Sequence, residues 1–381
     1  MSEPSRGRRA LQRLALFLGA TLFALLLAEV AVRALDLGPK RWAHPWHLES
    51  EDKRVGLDVY PDDPRDAFPL DLRDAATRAR FAERLPEVER RWERTPHAVP
   101  FRYSAELCRG PAIGDEGARP RLLVIGDSFT EGQGVTEEGT FAAQLEAQLG
   151  GAVEVLNCGR RGYDFPRLAE WFDEKLAELD PDWVLYAFTP NDPQQSEAFH
   201  ERQAFLNDWI LDRRRMFTEE HAPAPSFWES RFAGLIGDRL EAAEVAEETT
   251  RWYREMVGEP NAEGWEATRA HVAAMARRME ARGGRFAVAM WPLFVDLGEA
   301  YPFAEVHEVV AEAFEAEGAT VWDSLPAFRG RSAPELWVHP ADRHPNEVAH
   351  GVFAEVIAAG MEEAGWRAAD GADDADRGEG E

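Results

Sequence analysis

From Arg121 onward, short blocks of consecutive apolar residues alternate with longer stretches whose apolar positions recur every three or four residues. The blocks have the length of strands buried on both faces, and the spaced stretches have the period of helices packed on one side. Leu122-Leu123-Val124-Ile125, Val153-Glu154-Val155-Leu156, Trp183 to Phe188, Arg285 to Trp291 and Thr320-Val321-Trp322 are read as strands. Thr140 to Leu149, Phe165 to Leu179, Glu263 to Arg282, Glu299 to Glu317 and Glu347 to Ala364 are read as helices. Five strands separated by helices predict an α/β fold, a three-layer α/β/α sandwich around a five-stranded parallel sheet. Residues 195–262 break the alternation; polar and helix-biased, with Trp209, Trp228 and Trp252, they read as an inserted helical cap. No internal repeat is visible.

The first forty residues follow another pattern. Leu14 to Ala28 is an uncharged apolar run, extended to Val32 past a single Glu29. As a helix, Leu14 to Val32 rises about 28 Å, close to the hydrocarbon thickness of a bilayer. Arg6, Arg8, Arg9 and Arg13 precede the run, which places the N-terminus in the cytoplasm and the body outside it. A retained single-pass anchor is the preferred reading, because no small-residue cleavage site follows the run and no cysteine stands near it for lipidation. A cleaved signal peptide and a buried core helix are the alternatives.

Between anchor and body, Gly38 to Leu70 is rich in Pro, Trp and charge and reads as a linker or strap with little regular structure. Residues 71–94 read as one or two surface helices broken at Pro86, and residues 367–381 as a disordered acidic tail. The expected organisation is a cytoplasmic stub and transmembrane helix over 1–37 and a linker and N-terminal extension over 38–119. A catalytic domain follows over 120–366, with the insert at 195–262, and then the tail. The 381 residues carry a formal charge of −27, which argues against a nucleic-acid partner, since phosphate backbones are held by Lys and Arg surfaces. Two cysteines exclude a disulfide scaffold and a Cys-rich metal site. Cys108 and Cys158 are read as free buried thiols, with a disulfide between them as the alternative in an oxidising compartment.

Candidate chemistry gathers at strand ends, where open parallel sheets bind ligands. Gly126-Asp127-Ser128-Phe129-Thr130-Glu131-Gly132 follows the first strand and exposes a serine hydroxyl at a tight turn. Asn157-Cys158-Gly159-Arg160-Arg161-Gly162 follows the second, and Thr189-Pro190-Asn191-Asp192 the third. Near the C-terminus, Asp342-Arg343-His344-Pro345-Asn346 offers a base with a carboxylate two residues before it. Singly, Ser128 also suits a helix cap, Gly159 a turn and Asn191 a loop; together they supply a nucleophile, donors for a developing oxyanion, a base and its orienting acid. Asp127 reads as a residue that fixes the turn. A metal cluster of His339, Asp342, His344 and His350 is the lesser reading, because His350 falls on the closing helix; no metal or cofactor is expected.

With these four blocks in this order, residues 120–360 resemble the SGNH/GDSL hydrolase family. The resemblance implies the flavodoxin-like SGNH fold, with Ser128 as nucleophile and His344 and Asp342 as base and acid. It also implies oxyanion donors at Ser128, Gly159 and Asn191. The implied activity is ester hydrolysis through an acyl-enzyme, with an ester or acylated carbohydrate of the cell envelope as substrate. An O-acyltransferase acting on surface polysaccharide and a non-catalytic carbohydrate-binding protein are the alternatives. Two departures stand out. Thr189 replaces the glycine that usually opens the third block, which is expected to narrow the pocket around Asn191. The acid precedes the histidine by two residues rather than three, so Asp323, otherwise a turn or cap residue, is the substitute acid should Asp342 miss.

Overall fold

The protein's structure, a computed structural model, describes residues 6–35, 37, 46–49, 54–60, 98–114, 119–202, 228–340 and 342–366. The helices expected within 71–94, the tail and Trp209 lie outside these residues. Arg6–Ala34 forms one helix, α1, of 29 residues. Its apolar side chains stand bare from Leu11 to Leu27, so it is not a core helix. It is long and apolar enough to cross a membrane.

The supposed strap carries regular structure. β1 (Trp46–Glu49), β2 (Val55–Val59) and β3 (Ala98–Arg102) form an antiparallel sheet in that order. Every residue of β2 is buried. The pairing of Val55 with Arg102 and of Val59 with Ala98 spans some forty residues, and such non-local pairing leaves no local periodicity to read.

The body alternates as expected. β4 (Arg121–Gly126) leads through the short α2 (Ser128–Glu131) and α3 (Phe141–Gln148) to β5 (Glu154–Asn157). α4 (Arg167–Leu179) leads to β6 (Trp183–Phe188). The insert contributes α5 (Glu197–Arg202) and α6 (Arg231–Glu255), and α7 (Ala262–Glu280) returns the chain to β7 (Arg285–Met290). α8 (Ala304–Ala316), β8 (Thr320–Asp323) and the short α9 (Leu325–Phe328) follow. A hairpin of β9 (Trp337–His339) and β10 (Asp342–Pro345) precedes α10 (Glu347–Glu363). α8 starts five residues later than its apolar spacing suggests, because Pro302 disfavours helical backbone before it.

The five strands β5-β4-β6-β7-β8 pair in parallel in that order. Since β4 and β6 are covered on both faces, their sequences RLLVIG and WVLYAF are buried throughout. The order in which strands are added reverses at β4, which has β5 on one side and β6 on the other. That switch opens a crevice at the carboxyl ends of the central strands.

The cysteine expectation is corrected: Cys108 and Cys158 are joined in a disulfide. Residues 103–109 run beside the end of β5, where the Arg109 N–H donates to the Asn157 carbonyl at 2.6 Å. That bridge brings the two Cα atoms to 4.1 Å, close enough for the side chains to join.

Candidate active site

At the end of β4 the chain must turn sharply into α2. Gly126 permits it at φ 155°, where a Cβ would meet Thr130 Oγ1 at 2.1 Å and the Ala187 carbonyl at 2.6 Å. Asp127 caps α2 by accepting the Phe129 N–H at 2.9 Å, so Ser128 becomes its first residue. Asp127 thus fixes the turn, as expected. Its carboxyl also accepts from Thr189 Oγ1 at 3.1 Å and Asn191 Nδ2 at 3.2 Å, lacing the loops after β4 and β6 together. Thr189 is wholly buried, with its hydroxyl turned onto Asp127.

His344 arrives from the other end of the chain. Asn346 caps α10 by accepting from Val348 and Ala349 at 3.1 Å each, and donates to the Glu335 carbonyl at 2.8 Å, pinning the base of the β9–β10 hairpin. On β10, Asp342 and His344 are two apart and share a face. His344 Nε2 lies 2.8 Å from Ser128 Oγ, and its Nδ1 lies 2.5 Å from Asp342 Oδ1. The imidazole packs against the Phe129 ring at a centroid distance of 5.2 Å, which restricts its rotation. Burial disfavours the imidazolium, but the facing Asp342 carboxylate outweighs that and holds the His344 pKa above its ordinary value. For Asp342 burial acts upward, and His344 and Gln133 bring the carboxyl below its usual range. Behind Ser128, burial pushes the Asp127 carboxyl up and the Asp192 carboxyl well up.

The donor side is arranged less simply. Gly159 stands where a Cβ would meet the Glu131 N at 2.3 Å and the Thr130 carbonyl carbon at 2.6 Å, so only glycine lets this loop lie against α2. Its N–H donates to Asn157 Oδ1 at 3.1 Å, a local turn within the loop. Asn191 gives one amide hydrogen to Asp127 and retains a second.

Asp323 takes the role of a cap, accepting the Leu325 N–H at 2.9 Å, and also meets His307 Nδ1 at 2.7 Å. His350 sits inside the core, accepting the Phe141 N–H at 3.0 Å with its ring stacked on Phe141; burial lowers its pKa to about 3. Among the described residues no group of three His, Cys, Asp or Glu is arranged to hold a metal.

Four contributors escaped the sequence reading. Gln133 Nε2 donates to Asp342 Oδ2 at 3.0 Å, and Tyr60 donates its hydroxyl to the same oxygen at 3.2 Å. Asp58, beside Tyr60 on β2, pairs with Arg161 at 2.9 Å and accepts the Gly134 N–H at 2.9 Å, and Arg161 also pairs with Glu131 at 2.5 Å. Burial works against the Asp58 carboxylate, yet Arg161 and His47 keep it below the usual range. Gln133 directly follows the first block and Arg161 lies inside the second, so both were within reach of a closer reading. Tyr60 and Asp58 carry no local signal, since Tyr60 meets its partner across 282 positions.

The sequence model of the GDSL-like lipase/acylhydrolase family matches residues 124–352. Similar solved structures include LAE5, an alpha/beta hydrolase enzyme from the metagenome of Lake Arreo, Spain, at 18% identity and a TM-score of 0.36, covering 64% of this chain and 95% of that one. A catalytic mutant of Axe2, an acetylxylan esterase from Geobacillus stearothermophilus, is similar at 16% identity and a TM-score of 0.36, covering 67% of this chain and 97% of that one. No curated protein matches the sequence.

Proposed function

The chain belongs to the GDSL-like lipase/acylhydrolase family, and from that premise we propose that it is a serine esterase working through an acyl-enzyme outside the cytoplasm. The observation that carries this reading is the continuous line from Ser128 Oγ to His344 Nε2 at 2.8 Å and from His344 Nδ1 to Asp342 at 2.5 Å. His344 takes the serine proton as Oγ attacks the ester carbonyl, and Asp342 holds the ring and stabilises the imidazolium. The Ser128 N–H, the Gly159 N–H and the second Asn191 amide hydrogen hold the tetrahedral oxyanion. Gly159 exchanges Asn157 Oδ1 for an oxygen of greater charge, a stronger acceptor. His344 then protonates the leaving alcohol, and water activated by the same imidazole releases the acyl group.

The acceptor in the second step separates an esterase from an O-acyltransferase: a sugar hydroxyl in place of water gives transfer. The intact serine, histidine and carboxylate weigh against a protein that only binds carbohydrate. Read as an anchor, α1, with arginines before its apolar run, supports a body outside the cytoplasm, and the Cys108–Cys158 disulfide suits an oxidising compartment. An acylated carbohydrate of the envelope is the substrate proposed there.

A fluorophosphonate probe is expected to label the protein on Ser128, and Ser128→Ala is expected to lose labelling and at least about 10⁴-fold of p-nitrophenyl acetate hydrolysis. Labelling that persists in Ser128→Ala would place the nucleophile elsewhere. Release of free acetate, against its appearance on an added oligosaccharide, separates hydrolysis from transfer.

A further inference from the structure

Glu29 is the one charged residue between Leu14 and Val32 of α1. An ionised side chain there needs partners, and its own helix offers Arg33, one turn on, among apolar neighbours. The remaining partners stand on the insert. Glu29 Oε2 accepts from Ser230 Oγ at 2.8 Å and from the Phe232 N–H at 2.9 Å; Oε1 accepts from the Arg231 N–H at 3.0 Å and Arg33 Nε at 2.6 Å. Arg33 in turn donates to the Glu229 carbonyl at 2.8 Å. The first N–H groups of a helix have no intrahelical acceptors, so each element satisfies the other: a carboxylate caps α6, and α6 shields a carboxylate. The contact is confined to the last turns of α1, where Ala28, Glu29, Val32 and Arg33 are the covered positions.

This clamp fixes where α6 starts: at the level at which α1 leaves the apolar layer. The first turns of α6 then show an unusual face for a helix in water. Ala233, Ile236, Gly237 and Leu240 are exposed at helical spacing, Ile236 by 47% and Leu240 by 68%. Arg239 stands exposed beside them. Beyond Leu240 the helix changes character, with Glu241, Glu244, Glu247, Glu248 and Glu255 against Arg251 and Arg254. The far end reaches the body, where Arg254 donates to the Pro302 carbonyl at 2.9 Å and Met256 is buried. Asn261, just beyond, donates to the Gln194 carbonyl at 2.8 Å in the loop that follows Asn191.

We infer that the first turns of α6 lie in the outer interface of the lipid bilayer, held there by Glu29, with Ile236 and Leu240 among the acyl chains and the acidic half in water. The inference rests on the reading of α1 as a membrane anchor. The bilayer is the occupant of this face because the bare apolar surface of α1 continues into it through the clamp, and because the exposed apolar positions of α6 fall in its first turns while its run of glutamates lies beyond. α6, 25 residues and about 37 Å long, then acts as a strut between membrane and catalytic face. The proposed ester is one presented near the membrane surface.

The test uses the full chain in vesicles of phosphatidylcholine and phosphatidylglycerol, with nitroxide labels placed singly through Leu240→Cys, Ile236→Cys, Phe23→Cys and Glu312→Cys. The native cysteines are paired, so each new thiol labels alone. Collision of the 240 and 236 labels with a water-soluble nickel chelate is expected to be several-fold below that at 312, and collision at 23 lower still. Adding Glu29→Ala is expected to raise the 240 value toward that at 312 and leave 23 unchanged. Equal accessibility at 240 and 312 with 23 shielded overturns the inference and leaves the anchor standing. Accessibility at 23 equal to that at 312 overturns the anchor itself. Spin–spin broadening at 240 puts a second copy of the chain on this face instead, and no response to Glu29→Ala removes the clamp.

Discussion

Around Asp342 the large parallel sheet and the small antiparallel sheet differ in what they supply. The parallel sheet presents Ser128, Gly159 and Asn191 from three neighbouring strand ends, each a group with a place in the proposed acyl chemistry. The antiparallel sheet presents Tyr60 and Asp58, neither of which reaches the serine; Tyr60 works on Asp342, the partner of His344, and Asp58 on the loop that follows Ser128. Tyr60 shares Asp342 Oδ2 with Gln133, while Asp58 holds Arg161 and the Gly134 N–H just past the nucleophile turn. The difference separates chemistry from alignment. A catalytic hydroxyl needs a turn that a strand end provides, whereas an acid facing an imidazole must also be kept from rotating. In this protein the second task falls to a separate part of the chain.

The largest effect that bears on this division is expected from Asp342→Asn, which keeps the shape and removes the charge. Turnover should fall by roughly 10²–10⁴-fold. The base form of His344 exists above its own pKa, which Asp342 holds above the ordinary imidazole value, so wild-type kcat/KM is expected to rise with pH through a limb displaced upward from that value. In Asp342→Asn the limb is expected to move down, since the main upward influence on the ring is gone while burial and Arg161 still act downward, opposed by Asp127. A limb that stays in place would mean that another carboxylate governs the imidazole.

Next in size is the bond that ties the two regions. Replacing Cys108 and Cys158 by serine opens a link across 50 positions and should lower unfolding free energy by up to about 4 kcal/mol, read by urea titration. Asp58→Ala leaves Arg161 with Glu131 as its remaining carboxylate and the Gly134 N–H without its acceptor, and should cost about 1–3 kcal/mol in the same titration. If both variants unfold at the wild-type midpoint, the N-terminal sheet is not part of the cooperative unit.

The smallest effect is the most discriminating. Tyr60→Phe removes one donor from Asp342 and should lower kcat by roughly tenfold or less. The carboxylate, less satisfied, then draws the imidazolium proton more strongly, so the acidic limb should shift to higher pH. Loss of packing alone would change the amount of folded enzyme without moving that limb. An unmoved limb with lowered activity therefore assigns Tyr60 to the scaffold.

Much of the fold was written in local pattern. β4 to β8 and their helices were found within a few residues, because strands buried on both faces leave apolar runs and helices packed on one side leave a period. The loops ending those strands were legible too, since Gly126 and Gly159 mark positions where a Cβ has no room. Asp342 and His344, two apart on an extended segment, could be expected to share a face before their partner was in view. The strands at 46–59 were not visible, and neither was the pairing of two cysteines judged to be free. In both cases the decisive neighbour is far away in the chain: residues 98–102 for β2, and the bridge from Arg109 to Asn157 for the disulfide.

Sequence by itself determined which groups this protein has for chemistry and which strand each follows, because turn geometry and side-chain type are local properties. Only the tertiary structure decided that Tyr60 steadies the acid and that Glu29 in the apolar helix caps the insert. Both are contacts between residues whose own surroundings say nothing of each other, and their energy exists only once the chain has brought them within hydrogen-bonding distance.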